Sequence, residues 1–71
     1  MAEIESPMTA NVWKVQVAVG DTVEEGDVVV ILEAMKMEIP VHSPFDGSVT
    51  AVLVAPGDRV AGGALLVELE T

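Results

Sequence analysis

Residues 6–33 read SPMTANVWKVQVAVGDTVEEGDVVVILE, and residues 43–70 read SPFDGSVTAVLVAPGDRVAGGALLVELE. Laid over each other without a gap at an offset of 37, they share 13 identities in 28 positions. The matched pairs include Ser6/Ser43, Pro7/Pro44, Gly20/Gly57, Asp21/Asp58, Val23/Val60, Gly26/Gly63, Val30/Val67, Leu32/Leu69 and Glu33/Glu70. Self-similarity at a fixed offset is a signal of architecture, and two copies are too few for a solenoid, which needs about three or more. Two copies do suffice for two half-barrels related by a pseudo-two-fold axis.

Each copy reads as β-structure. Trp13, Val15, Val17 and Val19 alternate with Lys14, Gln16 and Ala18, the period of a half-buried strand. Val28 to Leu32 is an unbroken apolar run, and its copy shows which side faces inward: Leu65, Val67 and Leu69 alternate with Glu68 and Glu70. Carried back to the first copy, that register points Val28, Val30 and Leu32 at the core. With Val15, Val17, Ile39, Val52, Val54, Leu65, Val67 and Leu69 they form the predicted core. The Gly-Asp pairs at 20–21 and 57–58 are turn chemistry, since glycine tolerates positive φ and aspartate bonds nearby backbone. Gly26 and Gly63 mark positions that need a glycine backbone just before a strand. No segment has a helical pattern.

Between the copies lies the connector 34–42, AMKMEIPVH. Met37, Ile39 and Val41 alternate with Glu38, Pro40 and His42, so this too is a strand, and a strand returning straight after Leu32 implies a hairpin. Opposing Leu32 to Ile39 and Val30 to Val41 keeps both inward faces together. That register sets Ala34 opposite Met37 and leaves Met35-Lys36 as a two-residue turn. Two-residue hairpins favour type I′ turns and ask for Asn-Gly or Asp-Gly. Methionine and lysine are poor there, because a side chain at positive φ costs stability. This is the one place where local propensity and expected structure disagree, and such disagreements gather at functional sites.

Composition narrows the function classes. With 71 residues the chain is one domain, 1–71, divided into halves 6–33 and 43–70 and the connector 34–42. It has no cysteine and a single histidine, His42, which excludes a disulfide framework and a thiolate metal site. Three basic residues against twelve acidic ones give a net charge of −9, which argues against nucleic acid and against an anionic membrane surface. No apolar run approaches the ~20 residues of a membrane span. The acidic start Met1-Ala2-Glu3-Ile4-Glu5 lacks the apolar core of a signal peptide, so a cytoplasmic location is expected. No Ser/His/Asp, Cys/His or paired-carboxylate constellation stands out as catalytic. Lys36 does stand out: it supplies four methylenes and an amine able to attack an activated acyl group, on a tip that projects from the barrel wall.

Glu33-Ala34-Met35-Lys36-Met37 resembles the attachment motif of the biotinyl domains of biotin-dependent carboxylases. The Val-x-x-Gly-Asp-x-Val-x-x-Gly elements at 17–26 and 54–63 resemble the same family, so the likeness covers essentially the whole chain. It implies a flattened all-β barrel of two four-stranded antiparallel sheets (a barrel-sandwich hybrid), with the lysine on a hairpin and both termini at the far end. It implies biotin covalently held by Lys36, with Met35, Met37, Ala34 and Glu33 as the surrounding motif. Related lipoyl domains share the fold but usually carry aspartate before the lysine and a small apolar residue after it; methionine on both sides favours biotin. A second alternative is an unmodified interaction module on the same barrel, against which the retained Lys36 speaks. Some bacterial acetyl-CoA carboxylase carriers insert a protruding thumb between the first strands. Val12 to Asp21 leaves no room for one, so the chain resembles the thumbless type, and its start at Met1 without a linker fits a free-standing protein.

The resemblance further implies a carrier that catalyses nothing itself. A biotin protein ligase loads it, a biotin carboxylase charges it, and a carboxyltransferase passes the carboxyl group to an acyl-CoA or another acceptor, with fatty acid biosynthesis as one setting. Isolated, it is expected to be a monomer. Met37 shares a face with Ile39 and is expected to contribute to packing, whereas Met35 is expected to be read by the ligase, where soft side chains suit contact surfaces. Glu33 and Glu38 oppose each other, and either serve the ligase or carboxylase or are merely solvated. His42 is expected at the surface and Trp13 in packing.

Overall fold

In a computed structural model describing residues 2–71, the chain forms eight strands: β1 (Ala2–Glu5), β2 (Ala10–Val15), β3 (Thr22–Val23), β4 (Val28–Ala34), β5 (Met37–His42), β6 (Gly47–Val52), β7 (Arg59–Val60) and β8 (Leu65–Glu70). They build two four-stranded antiparallel sheets, ordered β1-β8-β6-β3 and β5-β4-β2-β7. The all-β expectation holds, and no helix occurs among the described residues.

Adding 37 to the residues of β1, β2, β3 and β4 lands on β5, β6, β7 and β8, and turns one sheet order into the other. The repeat is therefore wider than the identities at 6–33 and 43–70. The connector lies outside the two matched copies, yet its strand β5 has a counterpart in β1: Ala2 pairs with Leu69 as Ile39 pairs with Leu32, and Ile4 pairs with Val67 as Val41 pairs with Val30. Residues 2–5 and 39–42 share no identity; only their burial corresponds, with alternate residues facing the core.

The halves are laced together by reciprocal backbone bonds. Gly20 N–H donates to Val49 O and Val49 N–H to Asp21 O, at 2.9 and 2.8 Å, and the related pair is Gly57 N–H to Val12 O and Val12 N–H to Asp58 O, at 2.8 and 2.7 Å. Ser43 exchanges bonds with Gly26 and Asp27 as Ser6 does with Gly63 and Ala64, all at 2.8 Å. Each half thus closes the turns of the other, so neither can leave without breaking bonds in both. Gly20 and Gly57 sit at φ 97° and 95°, a region closed to most side chains. Asp21 and Asp58 finish these turns, each Oδ2 accepting a backbone N–H three residues back, from Ala18 and Ala55, at 2.9 Å.

The core is Ile4, Val12, Val23, Val29, Val30, Leu32, Val41, Val49, Val60, Leu66, Val67 and Leu69, with Ala2 and Ala10. Of the predicted core, Val30, Leu32, Val67 and Leu69 are fully buried, and Val15, Val17, Ile39, Val52 and Val54 pack half-buried against them. Val28 and Leu65 are displaced from the interior by their neighbours Val29 and Leu66. Both neighbours are the extra residue of a β-bulge, where Val28–Val30 spans one step of β5 and Leu65–Val67 one step of β1. A bulge inserts one residue and shifts which side chain faces in.

A second related pair of bulges falls at Trp13 and Thr50. It makes Val12 and Val49 the buried residues and leaves Trp13 40% exposed, so the expectation of Trp13 as packing is corrected. Val19, expected to continue the alternation, lies in the turn and is 65% exposed.

Candidate functional site

The tip of the β4–β5 hairpin is built by the register expected from sequence: Val30 opposes Val41, Leu32 opposes Ile39, Glu33 opposes Glu38 and Ala34 opposes Met37. Inward-facing Leu32 and Val41 seat the hairpin on the core. Met35 and Lys36 alone make the turn, at φ 53° and 62°, and they are the only non-glycine residues at positive φ among those described. Positive φ at both turn positions is the type I′ signature, and it costs an L-residue roughly 1–2 kcal/mol. The local sequence opposes the turn, and the paired strands impose it.

The five motif residues are brought together at this tip but differ in surroundings. Lys36 is exposed, and Met35, at 93% exposure, touches almost nothing. Met37 is 62% exposed, so its expected part in hairpin packing is small; Ile39 does that work, half-buried. Ala34 is half-buried, while Glu33 and Glu38 are exposed and directly opposed. Like charges across a ladder cost some stability, on the order of a few tenths of a kcal/mol to one. His42 is exposed, as expected. Asn11, missed by the sequence reading, pairs with Glu33 from β2 and in turn with Arg59 on β7. Glu38, Glu33, Asn11 and Arg59 thus form one row across the sheet next to the tip. The bulge at Trp13 resets the β2 register, so period-two counting could not find Asn11.

What this arrangement offers is a primary amine on a four-carbon stem, on a two-residue turn, flanked by two solvated thioethers. No group of three or more metal-ligating side chains occurs among the described residues. A surface groove of about 370 Å³ is lined by residues including Gln16, Asp21, Thr22 and Asp27. Its carboxylates are committed to turns: Asp21 caps Ala18, and Asp27 Oδ2 accepts the Glu24 N–H at 2.9 Å.

Residues 2–69 match the family model described as "Biotin-requiring enzyme". The chain belongs to this family. It is a biotin carrier domain, and its cofactor is biotin. Among curated relatives, a putative urea carboxylase of Emericella nidulans is 60% identical over 40 residues, 56% of this chain and 3% of that protein. The biotin/lipoyl attachment protein of Bacillus subtilis is 59% identical over 34 residues, 48% of this chain and 47% of that protein. Biotinylated protein TB7.3 of Mycobacterium tuberculosis is 55% identical over 42 residues, 58% of this chain and 59% of that protein. Among solved structures, the urea carboxylase of Kluyveromyces lactis superposes with a TM-score of 0.91 at 40% identity, covering 97% of this chain and 6% of that one. This biotin carrier domain thus matches a small part of the large carboxylases and about half the length of the small proteins.

Proposed function

We propose that Nζ of Lys36 is the point at which biotin is covalently attached, and that the loaded domain carries carboxyl groups between the active sites of a biotin-dependent carboxylase. The observation that carries this reading is the turn itself: the chain holds Lys36 at φ 62° on an exposed two-residue tip where Asn-Gly would fit better. The residues fit the group, because the tip has no wall that a tethered ring would strike. Loading is acyl transfer. Lys36 attacks the activated carboxyl carbon of biotin, the amide C–N bond forms, the bond to the nucleotide leaving group breaks, and the ammonium proton passes to solvent or a ligase base.

When bound, biotin supplies a nitrogen that can carry a carboxyl group. Everything else the domain supplies is mechanical. The hairpin fixes the origin of the arm, Lys36 gives it length, and tethering raises the effective concentration of the carried group at each partner. The domain contributes no catalytic residue of its own. Its partners are a biotin protein ligase, a biotin carboxylase and a carboxyltransferase, with Met35, Met37, Ala34 and Glu33 as the motif the ligase reads at the tip. The relatives include urea and acyl-coenzyme A carboxylases, which supports an acyl-CoA or another acceptor such as urea, with fatty acid biosynthesis as one setting. It acts in the cytoplasm, as a monomer when isolated.

The test is Lys36→Arg, which keeps charge and fold. Intact mass after incubation with a biotin protein ligase, biotin and ATP should show one biotinyl group on the wild type and none on the variant. The other lysine, Lys14, lies within β2. Labelling of the variant would remove Lys36 from the role.

A further inference from the structure

The pseudo-two-fold axis supplies an internal control for the outer faces of the two sheets. One row back from the tip, Pro40, Ile31 and Lys14 are consecutive cross-strand partners on β5, β4 and β2. Trp13 joins them through its bulge, where a bulge re-aims side chains, and Lys14 Nζ lies 4.4 Å from the centroid of the indole ring. The equivalent row on the other sheet is Glu3, Glu68 and Ala51, with Thr50 at the bulge. One backbone thus carries two opposite surfaces: carboxylates and a threonine on one sheet, an indole, an isoleucine, a proline and an ammonium on the other. The fold accepts either, so the fold does not account for the second.

We propose that Trp13, Lys14, Ile31 and Pro40 form the body-docking surface for the biotin protein ligase that loads Lys36; this rests on the carrier reading above. Three observations choose the surface and its occupant. Ile31 and Pro40 lie on the two strands that carry the tip, five and four residues from Lys36, or about 13–16 Å at strand rise, and Trp13 and Lys14 lie on β2, which pairs with β4. That is within the footprint of an ordinary interface of about 800 Å² per partner. The inward flank of the hairpin is closed by the core, so the outer flank is the side open to a partner.

Among the partners, the ligase reacts with the amine itself, at the end of the bare lysine, and so must bring its active site against the hairpin. The carboxylating enzymes meet the far end of the longer, loaded arm. Trp13 is 40% exposed and partly immobilised under an ammonium, and tryptophan is prominent among residues that anchor interfaces. The ligase surface that fits has an apolar recess for the indole with acidic groups where Lys14 and Arg59 fall.

The test transplants one face onto the other. Trp13→Thr, Lys14→Ala, Ile31→Glu and Pro40→Glu together write the Thr50, Ala51, Glu68 and Glu3 surface onto the second sheet. A second variant, Trp13→Thr with Ile31→Thr, removes the apolar groups and adds no carboxylate. With saturating biotin and ATP and the domain as varied substrate, both should raise KM for the domain ~10-fold or more and leave kcat within about twofold, because Lys36 and its turn are untouched. Unfolding midpoints show that the variants are folded.

Unchanged KM in the second variant would overturn the inference while leaving Lys36 as acceptor. So would unchanged loading accompanied by loss of carboxylation by a biotin carboxylase, which would give the face to that enzyme. A wild-type dimer in sedimentation that both variants dissolve would make the face a self-contact and overturn it as well. Failure of the wild type to be labelled would remove the carrier reading, and this inference with it.

Discussion

The two ends of the barrel solve the same pairing problem in different ways. At one end β4 and β5 are joined through Met35-Lys36; at the other, the equivalent strands β8 and β1 pair in the same register across the chain termini, with no turn between them. Leu69 opposes Ala2 just as Leu32 opposes Ile39. The β8–β1 pair shows that this pairing needs no connecting turn, and so no particular turn sequence. What stands at Ala34–Met37 is therefore released from the requirements of folding, and the residues found there are ones that folding would not choose. The eight reciprocal backbone bonds and the shared core let a domain of this size carry that cost, since its expected stability is only about 4–11 kcal/mol in total.

The comparison can be broken most forcefully in the core. Leu32 and Leu69 are equivalent and both fully buried, one under the tip and one beside the termini. Replacing either by alanine should cost about 2–5 kcal/mol, and the two costs should agree within about 1 kcal/mol in urea unfolding. A large disparity would mean that the ends are not energetically equivalent and that the hairpin is a structural anchor after all. A smaller effect of opposite sign sharpens the contrast. Met35→Asn with Lys36→Gly supplies the residues that a type I′ turn prefers and should stabilise the domain by roughly 1–2 kcal/mol. Unchanged or lowered stability would show that the turn stores no strain.

How much of this was legible in the sequence depended on whether symmetry left a chemical trace. The turns at Gly20-Asp21 and Gly57-Asp58 need particular residues, so the repeat was visible there. The hairpin register followed from the alternation of Leu32 and Ile39 with their neighbours. The equivalence of β1 with β5 was hidden, because Ala2 and Ile4 need only be apolar to match Ile39 and Val41. The four bulges were hidden for a different reason. An extra residue such as Val29 or Leu66 looks like its neighbours in composition and changes only the phase, which moved Val28 and Leu65 out of the core and Trp13 into solvent. Two independent signs singled out Lys36, a turn with the wrong residues and a five-residue motif around it, and its place on an exposed two-residue turn is as expected. Asn11 and the outer row with Trp13 depended on the bulge and were not.

The central claim is that the folded hairpin, and not the motif letters alone, makes Lys36 an acceptor. It is tested most directly by initial biotinylation rates at equal concentration for three substrates: the domain, a variant with one residue inserted between Lys36 and Met37, and an unstructured peptide spanning Glu33 to Val41. The insertion leaves the amine intact but lengthens the turn or reverses the faces of β5, while the reciprocal bonds between the halves hold the barrel. The domain should be loaded far faster than either of the others. Equal rates for all three would mean that the ligase reads the motif as a linear string, and would contradict the claim.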